Sequence, residues 1–255
     1  MNYTKAIVRT PGSTYKQCIS DHPDHHLLDL NLVADQHRAY VAQIRELGVE
    51  IIDVEASHKF PDACFVEDNV VINKNRAFIN NMGAESRRGE YKEYLDILKE
   101  HFDIVFADGN GTVDGGDVLH LDDKDMLISG LTQRTNREGV NDLSKTLDVE
   151  IKTIQSDDII HLKSYISYLG NDVAIATRRY INHPVLTNLN IQIIEVHPDE
   201  AYAANALAIN GTVILPIGSR RLQDEIKTHG FDVSELDISE FQKCEGALTC
   251  LSILY

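Results

Sequence analysis

The chain has 255 residues, of which 43% are hydrophobic and 25% charged, a composition typical of a globular protein that can bury a substantial core. Its net charge of −16 argues against nucleic acid or an anionic membrane as a partner and is compatible with a small cationic substrate. No apolar run is long enough to cross a membrane, and residues 1–5 lack the basic and apolar parts of a signal peptide, so we expect a cytoplasmic protein.

The sequence contains four cysteines, none of which belongs to a C-x-x-C pair or to a zinc-ligand spacing. Reduced thiols are the default in the cytoplasm, so we expect free cysteines and no metal site. The cysteines are Cys18, Cys64, Cys244 and Cys250.

The N-terminal part is predicted to contain a strand at 5–10, a long surface loop at 11–27, a helix at 31–47 that ends before Gly48, and a strand at 49–54. Three histidines lie in the loop, but their spacing does not define a tetrahedral metal site. A solvated loop is the simpler interpretation.

From residue 69 onward, one pattern of hairpin, helix and strand repeats four times. The strongest turn signal within it is Asn210-Gly211. The predicted hairpins span 69–79, 118–129, 163–177 and 204–216. The helices are expected from about Ser86 through Phe102 and at 136–147, 182–189 and 220–229, and the strands at 104–106, 149–154, 191–196 and 232–236.

The two chain ends supply a fifth copy. Residues 246–255 are apolar and β-branched around Cys250 and predict a short buried strand, which needs a partner for its hydrogen bonds. Residues 5–9 are the best candidate for that partner. Together with 31–47 and 49–54 they complete a fifth unit, and five equivalent units predict a closed ring without an unpaired sheet edge. The alternative, an open α/β sheet, leaves the apolar terminal strands unexplained.

A polar or ionisable residue lies where each first hairpin strand begins, and in a ring these positions converge near the axis. The segments are 61–68, 112–117, 160–163, 202–205 and 248–250. Cys250 and His161 are the residue types that nucleophilic catalysis needs, and Asp114 behind the histidine would orient it. Glu67 and Asp68 would repel each other unless a cation such as a guanidinium lies between them. Taken singly, each acid is better explained as a solvated loop residue and Cys250 as a packed core thiol, but the set taken together argues against that interpretation.

At these positions the chain resembles the dimethylarginine dimethylaminohydrolases of the guanidino-group-modifying superfamily, along nearly its whole length. The resemblance implies a five-bladed, pseudo-symmetric α/β propeller of ββαβ repeats, with one blade closed by the N- and C-terminal strands. The similar stretches are Val8-Arg9-Thr10-Pro11, Phe65-Val66-Glu67-Asp68, Gly83-Ala84-Glu85-Ser86-Arg87-Arg88-Gly89-Glu90, Val113-Asp114-Gly115-Gly116-Asp117, Arg134-Thr135-Asn136, His161-Leu162-Lys163, Ala203-Ala204-Asn205 and Leu248-Thr249-Cys250.

The resemblance also implies catalytic roles. Cys250 is similar to the nucleophile that attacks the guanidinium carbon. His161 matches the acid that protonates the leaving amine and then the base that activates water, and Asp114 matches its carboxylate partner, although some family members have glutamate there. Glu67 and Asp68 match the pair that binds the guanidinium.

The remaining matches concern the amino-acid end of the substrate and the cover of the site. Asp62 matches the contact to the α-amino group, and Arg87 and Arg134 match the clamp on the α-carboxylate. Ile19 falls where the family has a lid residue. Cys244 departs from the family pattern, which has an aliphatic residue whose backbone carbonyl touches the ligand.

The resemblance therefore implies a single catalytic domain, residues 1–255, without cofactor or metal, acting as a monomer or homodimer. It would convert an Nω-methylated L-arginine to L-citrulline and methylamine or dimethylamine through a covalent S-alkylthiouronium on Cys250. The alternatives are an arginine deiminase-like hydrolase and a non-catalytic amino-acid-binding propeller. Deiminases and amidinotransferases are longer, and the presence of both Cys250 and His161 argues against a binding module. A metal-binding module lacks ligand spacing.

Overall fold

The computed structural model describes residues 2–255. The prediction that residues 1–5 lack the features of a signal peptide includes Met1, which lies outside the described residues. Over the described residues the chain has a mixed α/β fold with fifteen short strands. The strands are β1 Lys5–Arg9, β2 Glu50–Val54, β3 Val70–Asn73, β4 Arg76–Ile79, β5 Asp103–Phe106, β6 Val118–Leu121, β7 Met126–Leu131, β8 Glu150–Gln155, β9 Ile166–Gly170, β10 Val173–Thr177, β11 Gln192–Val196, β12 Leu207–Ile209, β13 Thr212–Pro216, β14 Asp232–Leu236 and β15 Ser252–Leu254.

Six α-helices lie between these strands in the described residues, and none of them is long and apolar enough to cross a bilayer. Helix α1 is preceded by Asp29, whose carboxylate caps it by accepting from the Asn31 N–H. The helices are α1 Leu30–Glu46, α2 Leu95–His101, α3 Arg137–Leu147, α4 Pro184–Thr187, α5 Arg220–Thr228 and α6 Ser239–Gln242.

The strands form five three-stranded sheets, which we number in chain order. Sheet 1 is β15-β1-β2, sheet 2 is β3-β4-β5, sheet 3 is β6-β7-β8, sheet 4 is β9-β10-β11 and sheet 5 is β12-β13-β14. In sheets 2 to 5 an antiparallel hairpin is followed by a third strand parallel to its second strand. The predicted fourfold repeat of hairpin and strand is confirmed.

Sheet 1 has the same pattern but is assembled from both ends of the chain. Strand β15 pairs antiparallel with β1, with Ile253 opposite Ile7, and β2 lies parallel to β1 on its other side. The predicted pairing of the chain ends is therefore confirmed.

Five apolar clusters hold the sheets together, and each cluster is shared by two sheets. They lie between sheets 1 and 2, 2 and 3, 3 and 4, 4 and 5, and 5 and 1. Every sheet is therefore covered on two sides by its neighbours, which explains why strands of three to six residues are stable here.

Two predicted helices are shorter than expected. The helix expected from Ser86 is interrupted at Gly89, whose φ of 96° lies in the left-handed region, so that only α2 is a regular α-helix. The helix expected at 182–189 is reduced to the four residues of α4.

A short 3-10 helix precedes the first strand of each sheet, a feature that the sequence patterns did not reveal. As a result Cys250 lies on a 3-10 helix just before β15 and not within the predicted strand. The five segments are Val66–Asn69, Gly115–Asp117, Leu162–Ser164, Pro198–Ala204 and Thr249–Leu251.

Tyr40 of α1 connects this helix to the last turn of the chain. Its side chain is fully buried, and its hydroxyl donates to the Leu248 carbonyl at 3.0 Å and lies 2.8 Å from Ser252 Oγ. The hydroxyl thus helps to fix the segment that carries Cys250.

We expect Tyr40→Phe to lower the free energy of unfolding by about 1 to 3 kcal/mol, because it leaves buried polar groups without a partner. Urea unfolding of both proteins measures the difference. Tyr91→Phe is the matched control, since the Tyr91 hydroxyl makes no hydrogen bond to the described residues, and it should stay within about 0.5 kcal/mol of the unmodified protein. Equal losses in the two variants would contradict this role of Tyr40.

Candidate active site

A small, partly open cavity of about 50 Å³ lies where the 3-10 helices of several sheets approach one another. It is lined by all of the site residues predicted from the sequence except Glu67. The lining residues are Ile19, Asp62, Phe65, Asp68, Arg87, Asp114, Arg134, Ile160, His161, Cys244, Glu245, Gly246 and Cys250.

His161 lies between two carboxylates. Its Nε2 is 3.1 Å from Asp114 Oδ2 and 3.8 Å from Asp68 Oδ1. The other face of the ring packs on Gly116, where a Cβ atom would lie 2.7 Å from Nδ1, so the backbone approach requires glycine. Burial alone lowers the pKa of His161, but the carboxylates of Asp68 and Asp114 outweigh it and raise the pKa to about 9. The ring is therefore an imidazolium at neutral pH.

Asp68 is fully buried and is held by charged and neutral donors. Arg87 Nη1 donates to its Oδ2 at 2.6 Å, and the Gly116 N–H donates to its Oδ1 at 2.9 Å. Burial alone raises the pKa of Asp68, but the positive charges of His161 and Arg87 outweigh it and lower the pKa below its usual value. Asp68 is thus a fixed negative charge beside His161.

The two predicted arginines differ in their surroundings. Arg87 is 6% exposed, and its guanidinium binds Glu90, Asp68 and the Phe65 carbonyl. Arg134 is half-buried, and its side chain makes no hydrogen bond to the described residues. Arg87 therefore has its charge neutralised by the protein, whereas Arg134 offers a free guanidinium to a ligand.

Asp62 is already engaged by the predicted lid residue. The Ile19 N–H donates to its carboxylate at 3.1 Å. Burial raises the pKa of Asp62 to about 6, with Arg87 opposing this effect in part. A cation that replaced the Ile19 N–H would stabilise the ionised form of this carboxylate.

Glu67 is the one predicted site residue that the structure does not bring into the cavity. Its carboxylate accepts from Lys163 Nζ at 2.6 Å and from the Thr249 hydroxyl at 2.8 Å. These three residues line a separate cavity of about 340 Å³, whose described lining includes neither His161 nor Cys250. Lys163 thus neutralises the Glu67 charge in the empty site, and the pairing of Glu67 with Asp68 around a guanidinium stays a prediction.

Lys163 was missed as a site residue in the sequence. It is buried, and its ammonium group pairs with Glu67 at the lining of the larger cavity. The available signal was a lysine two positions after the candidate histidine, at the start of an apolar strand where a buried cation needs a buried acid.

Cys250 is 9% exposed and has a free thiol. Burial, followed by the negative charges of Asp68 and Glu67, raises the pKa of this thiol well above its usual value. The thiol is therefore protonated while the cavity is empty, and a cation close to Asp68 would be needed to favour the thiolate.

Two of the four cysteines are joined, which corrects the expectation that all are reduced. Cys18, beside Ile19, forms a disulfide with Cys244, and the two Cα atoms are 5.9 Å apart. Cys64 and Cys250 remain free. No sequence pattern indicated this pairing, because 226 positions separate the two residues.

Two groups of side chains in the described residues have the ligand types of a metal site. Asp68, Asp114 and His161 form the first, but Arg87 pairs with Asp68 and His161 is itself positively charged, so this group suits a planar organic cation better than a metal ion. Cys18, His25 and Cys244 form the second, and its two sulfur atoms are bonded to each other.

The arrangement brings together a thiol, an imidazolium and a carboxylate, next to a second carboxylate. This set can add a thiolate to an electrophilic carbon, protonate a leaving group and then deprotonate water. The free Arg134 guanidinium and the Asp62 carboxylate lie on the same cavity and can bind the two charged groups of an amino acid.

Comparisons with known proteins agree with this chemistry. The family model described as "N,N dimethylarginine dimethylhydrolase, eukaryotic" matches residues 19–251. The dimethylarginine dimethylaminohydrolase of Pseudomonas aeruginosa is 30% identical over 256 residues, which are 98% of this chain and 98% of that protein. A structure of the Pseudomonas aeruginosa enzyme, in which a cysteine is replaced by serine and citrulline is bound, has a TM-score of 0.94 at 29% identity and covers 100% of both chains.

A further structure is that of a dimethylarginine dimethylaminohydrolase with a histidine-to-glycine substitution, as an adduct with S-methyl-L-thiocitrulline. It has a TM-score of 0.93 at 29% identity and covers 99% of this chain and 100% of that chain.

We expect Asp114→Asn to lower the pKa of His161, because it removes a charge and a hydrogen-bond acceptor that favour the imidazolium. Nuclear magnetic resonance titration of the His161 ring, assigned with a His161→Gln variant, measures the shift. Asp199→Asn is the control: Asp199 lies 3.3 Å from the surface residue His197, so it should leave His161 unchanged. An unchanged pKa of His161 in Asp114→Asn would contradict the proposed contact.

Proposed function

The chain belongs to the dimethylarginine dimethylaminohydrolase family, and we propose that it hydrolyses Nω-methylated L-arginine to L-citrulline and methylamine or dimethylamine. The observation that carries the proposal is the position of Cys250 and a charged His161 around Asp68 in one buried cavity. A guanidinium is the cation that suits this site, because its planar group of N–H donors matches a carboxylate and its carbon is the electrophile.

Attack on the substrate begins with the loss of the Cys250 proton to solvent as the cationic guanidinium binds against Asp68. The thiolate forms a C–S bond to the guanidinium carbon. His161, already protonated, gives its proton to the methylated nitrogen, and the C–N bond breaks to release the amine. The product of this half-reaction is an S-alkylthiouronium on Cys250.

Hydrolysis uses the same residues in the opposite direction. Neutral His161 takes a proton from water, and the resulting hydroxide adds to the thiouronium carbon. The C–S bond then breaks, the thiolate leaves, and a second proton passes to solvent as citrulline forms. Asp114 supports both halves because it orients the ring and stabilises its charged state.

The amino-acid end of the substrate is assigned to Asp62 and Arg134. The substrate ammonium would take the place of the Ile19 N–H on Asp62, and the carboxylate would pair with the free guanidinium of Arg134. Arg87 lines the cavity as well, but its contacts to Asp68 and Glu90 make it first a support for Asp68. The Cys244 backbone carbonyl stays a proposed ligand contact.

The wider assignments rest on the fold. We propose that the five sheets close into a five-bladed propeller, since the apolar clusters link each sheet to the next and sheet 5 back to sheet 1. Residues 1–255 would then be one catalytic domain that acts as a monomer or homodimer. A cytoplasmic location would suit a nucleophile that must remain a free thiol.

Incubation with arginine, monomethylarginine and the dimethylarginines separately, followed by a citrulline assay, tests the function. We expect turnover of a methylated arginine without added metal. Preferential turnover of arginine would instead identify a deiminase-like hydrolase, and binding without turnover of any of them a non-catalytic protein.

Cys250→Ser and His161→Gly should separate the two halves of the reaction. The serine hydroxyl stays protonated near neutral pH, so attack should nearly stop. His161→Gly keeps the nucleophile but loses the acid and base, so it should attack slowly and stall. Intact mass spectrometry after an acid quench should show an adduct on His161→Gly and none on Cys250→Ser. Wild-type turnover by Cys250→Ser would show that Cys250 is a packed core thiol without a catalytic role.

Arg134→Ala should raise KM with little change in kcat, because it removes a charge-assisted contact worth about 1.5–3 kcal/mol, remote from the reacting carbon. Steady-state kinetics measure both constants. Arg179→Ala removes an exposed arginine that pairs with Asp158 and should change neither. A methylated agmatine, which lacks the carboxylate, should lose little further affinity in Arg134→Ala. An unchanged KM would show that Arg134 does not bind the substrate carboxylate.

A further inference from the structure

The Cys18–Cys244 disulfide lies at the mouth of the candidate active site. Cys18 is the residue before Ile19, and Ile19 and Cys244 both line the cavity. Residues 19–27, which we call the lid segment, are half-buried or exposed, whereas Cys18 and Leu28 on either side are buried. The disulfide therefore attaches one end of the lid segment to the rim of the cavity.

Other contacts between the lid segment and the rim are weak and reversible. The Ser20 hydroxyl donates to the Lys243 carbonyl at 2.8 Å, the Asp21 N–H donates to Glu245 at 3.2 Å, and the Ile19 N–H donates to Asp62. At the far end of the segment, Lys243 Nζ donates to the Leu27 carbonyl at 3.3 Å. Hydrogen bonds of this kind contribute about 1 kcal/mol each and break as the segment moves. Without the covalent bond, the lid segment could open.

Opening is necessary for a ligand to enter. The cavity of about 50 Å³ is far smaller than the roughly 300 Å³ that a small-molecule site provides. One lid contact also occupies a group that the substrate is proposed to need, because the Ile19 N–H is bound to the carboxylate assigned to the substrate ammonium. A substrate ammonium would therefore have to share Asp62 with the Ile19 N–H or displace it.

We propose that Cys18 and Cys244 form a reversible thiol–disulfide site that controls access of the substrate to Cys250. The disulfide form keeps the lid segment on the rim and excludes the substrate, and the dithiol form lets the segment open. The proposal rests on the function assigned above, in that it names a control of that same site.

The chemistry is thiol–disulfide exchange with a small disulfide such as oxidised glutathione. The Cys18 thiolate attacks one sulfur of that disulfide and releases a glutathione thiolate. The Cys244 thiolate then attacks the Cys18 sulfur of the mixed disulfide and releases the second. The two cysteines are oxidised, the small disulfide is reduced to two thiols, and a dithiol reductant reverses both steps.

His25 supports the exchange. Its Nε2 lies 3.3 Å from Cys18 Sγ, a distance at which an imidazole can accept the thiol proton and favour the thiolate. This imidazole belongs to the lid segment itself, so it accompanies Cys18 and is present when the dithiol forms. A disulfide with only a structural role does not need such a neighbour.

The test compares kcat/KM of wild type and of Cys18→Ala. Each protein is treated either with oxidised glutathione or with dithiothreitol. Peptide mass spectrometry then verifies the oxidation state of Cys244 and Cys250. In wild type with free Cys250, the disulfide should lower kcat/KM at least about tenfold relative to the dithiol form. Cys18→Ala should show no such difference. Equal kcat/KM in the two verified forms of wild type, or an equal loss in Cys18→Ala, would overturn the proposal.

Hydrogen exchange of the lid segment gives a readout that does not depend on turnover. Reduction should speed exchange in residues 19–27 of wild type and leave Cys18→Ala unchanged, and unchanged exchange in wild type would overturn the proposal. If exchange responds to reduction while no methylated arginine is turned over in either form, the assigned function fails instead. His25→Gln should slow formation of the disulfide by oxidised glutathione without changing the exchange rates of the two end states.

Discussion

The site depends on the buried carboxylate of Asp68. A buried charge is costly unless it is paired and hydrogen-bonded, and Asp68 obtains its partners from three separate segments: Arg87, His161 and the Gly116 N–H. Because these groups come from different parts of the chain, their approach to one carboxylate also positions the 3-10 helices around the cavity. Removing that charge would take the shared carboxylate from Arg87 and His161 and leave each with its other acidic partner alone, so the electrostatics of the site and its architecture are linked.

The Asp68 carboxylate has opposite effects on the usefulness of the two proposed catalytic groups. Together with Asp114 it raises the pKa of His161 to about 9, which prepares the ring as an acid at neutral pH. Burial is the larger cause of the raised pKa of Cys250, and the charge of Asp68 adds to it, which keeps the thiol protonated. A positive charge at the guanidinium position changes the second effect, because it offsets the negative charge that the thiolate would otherwise face. In the empty site, His161 is therefore already able to protonate a leaving group, whereas Cys250 becomes a thiolate only when a cation is bound.

Much of the fold followed from periodicity, and the limits of the prediction have physical reasons. Alternating apolar residues and turns revealed the five hairpin-and-strand units, including the pairing of Ile7 with Ile253, because strand patterns are local. Residues 66–69 form a single 3-10 helix, on which neighbouring side chains point in different directions, so Asp68 faces the candidate site while Glu67 faces Lys163. No local pattern distinguishes two adjacent acids in this way.

Local sequence patterns could not predict the contacts within the site between residues far apart in the chain. Cys18 and Cys244 meet because the loop after β1 folds over the segment that follows α6, which only the three-dimensional arrangement brings together. The convergence of Cys250, His161 and Asp114 was predictable because these residues occupy equivalent places in repeated units. Residues from the surface loop have no such equivalents, so their contacts with the rim could not be inferred.

In the empty site, two groups that the substrate is proposed to contact, Asp62 and Cys250, are occupied or protonated by the protein itself. Ile19 occupies Asp62, and burial keeps the Cys250 thiol protonated. With a pKa of about 6, Asp62 is largely ionised at neutral pH, and a substrate ammonium would replace the weaker neutral donor. One ligand with an ammonium at one end and a guanidinium at the other can reverse both conditions together. Recognition of the amino-acid end and activation of the nucleophile are thus coupled through a single molecule, which protects a reactive thiol from other electrophiles until that molecule is bound.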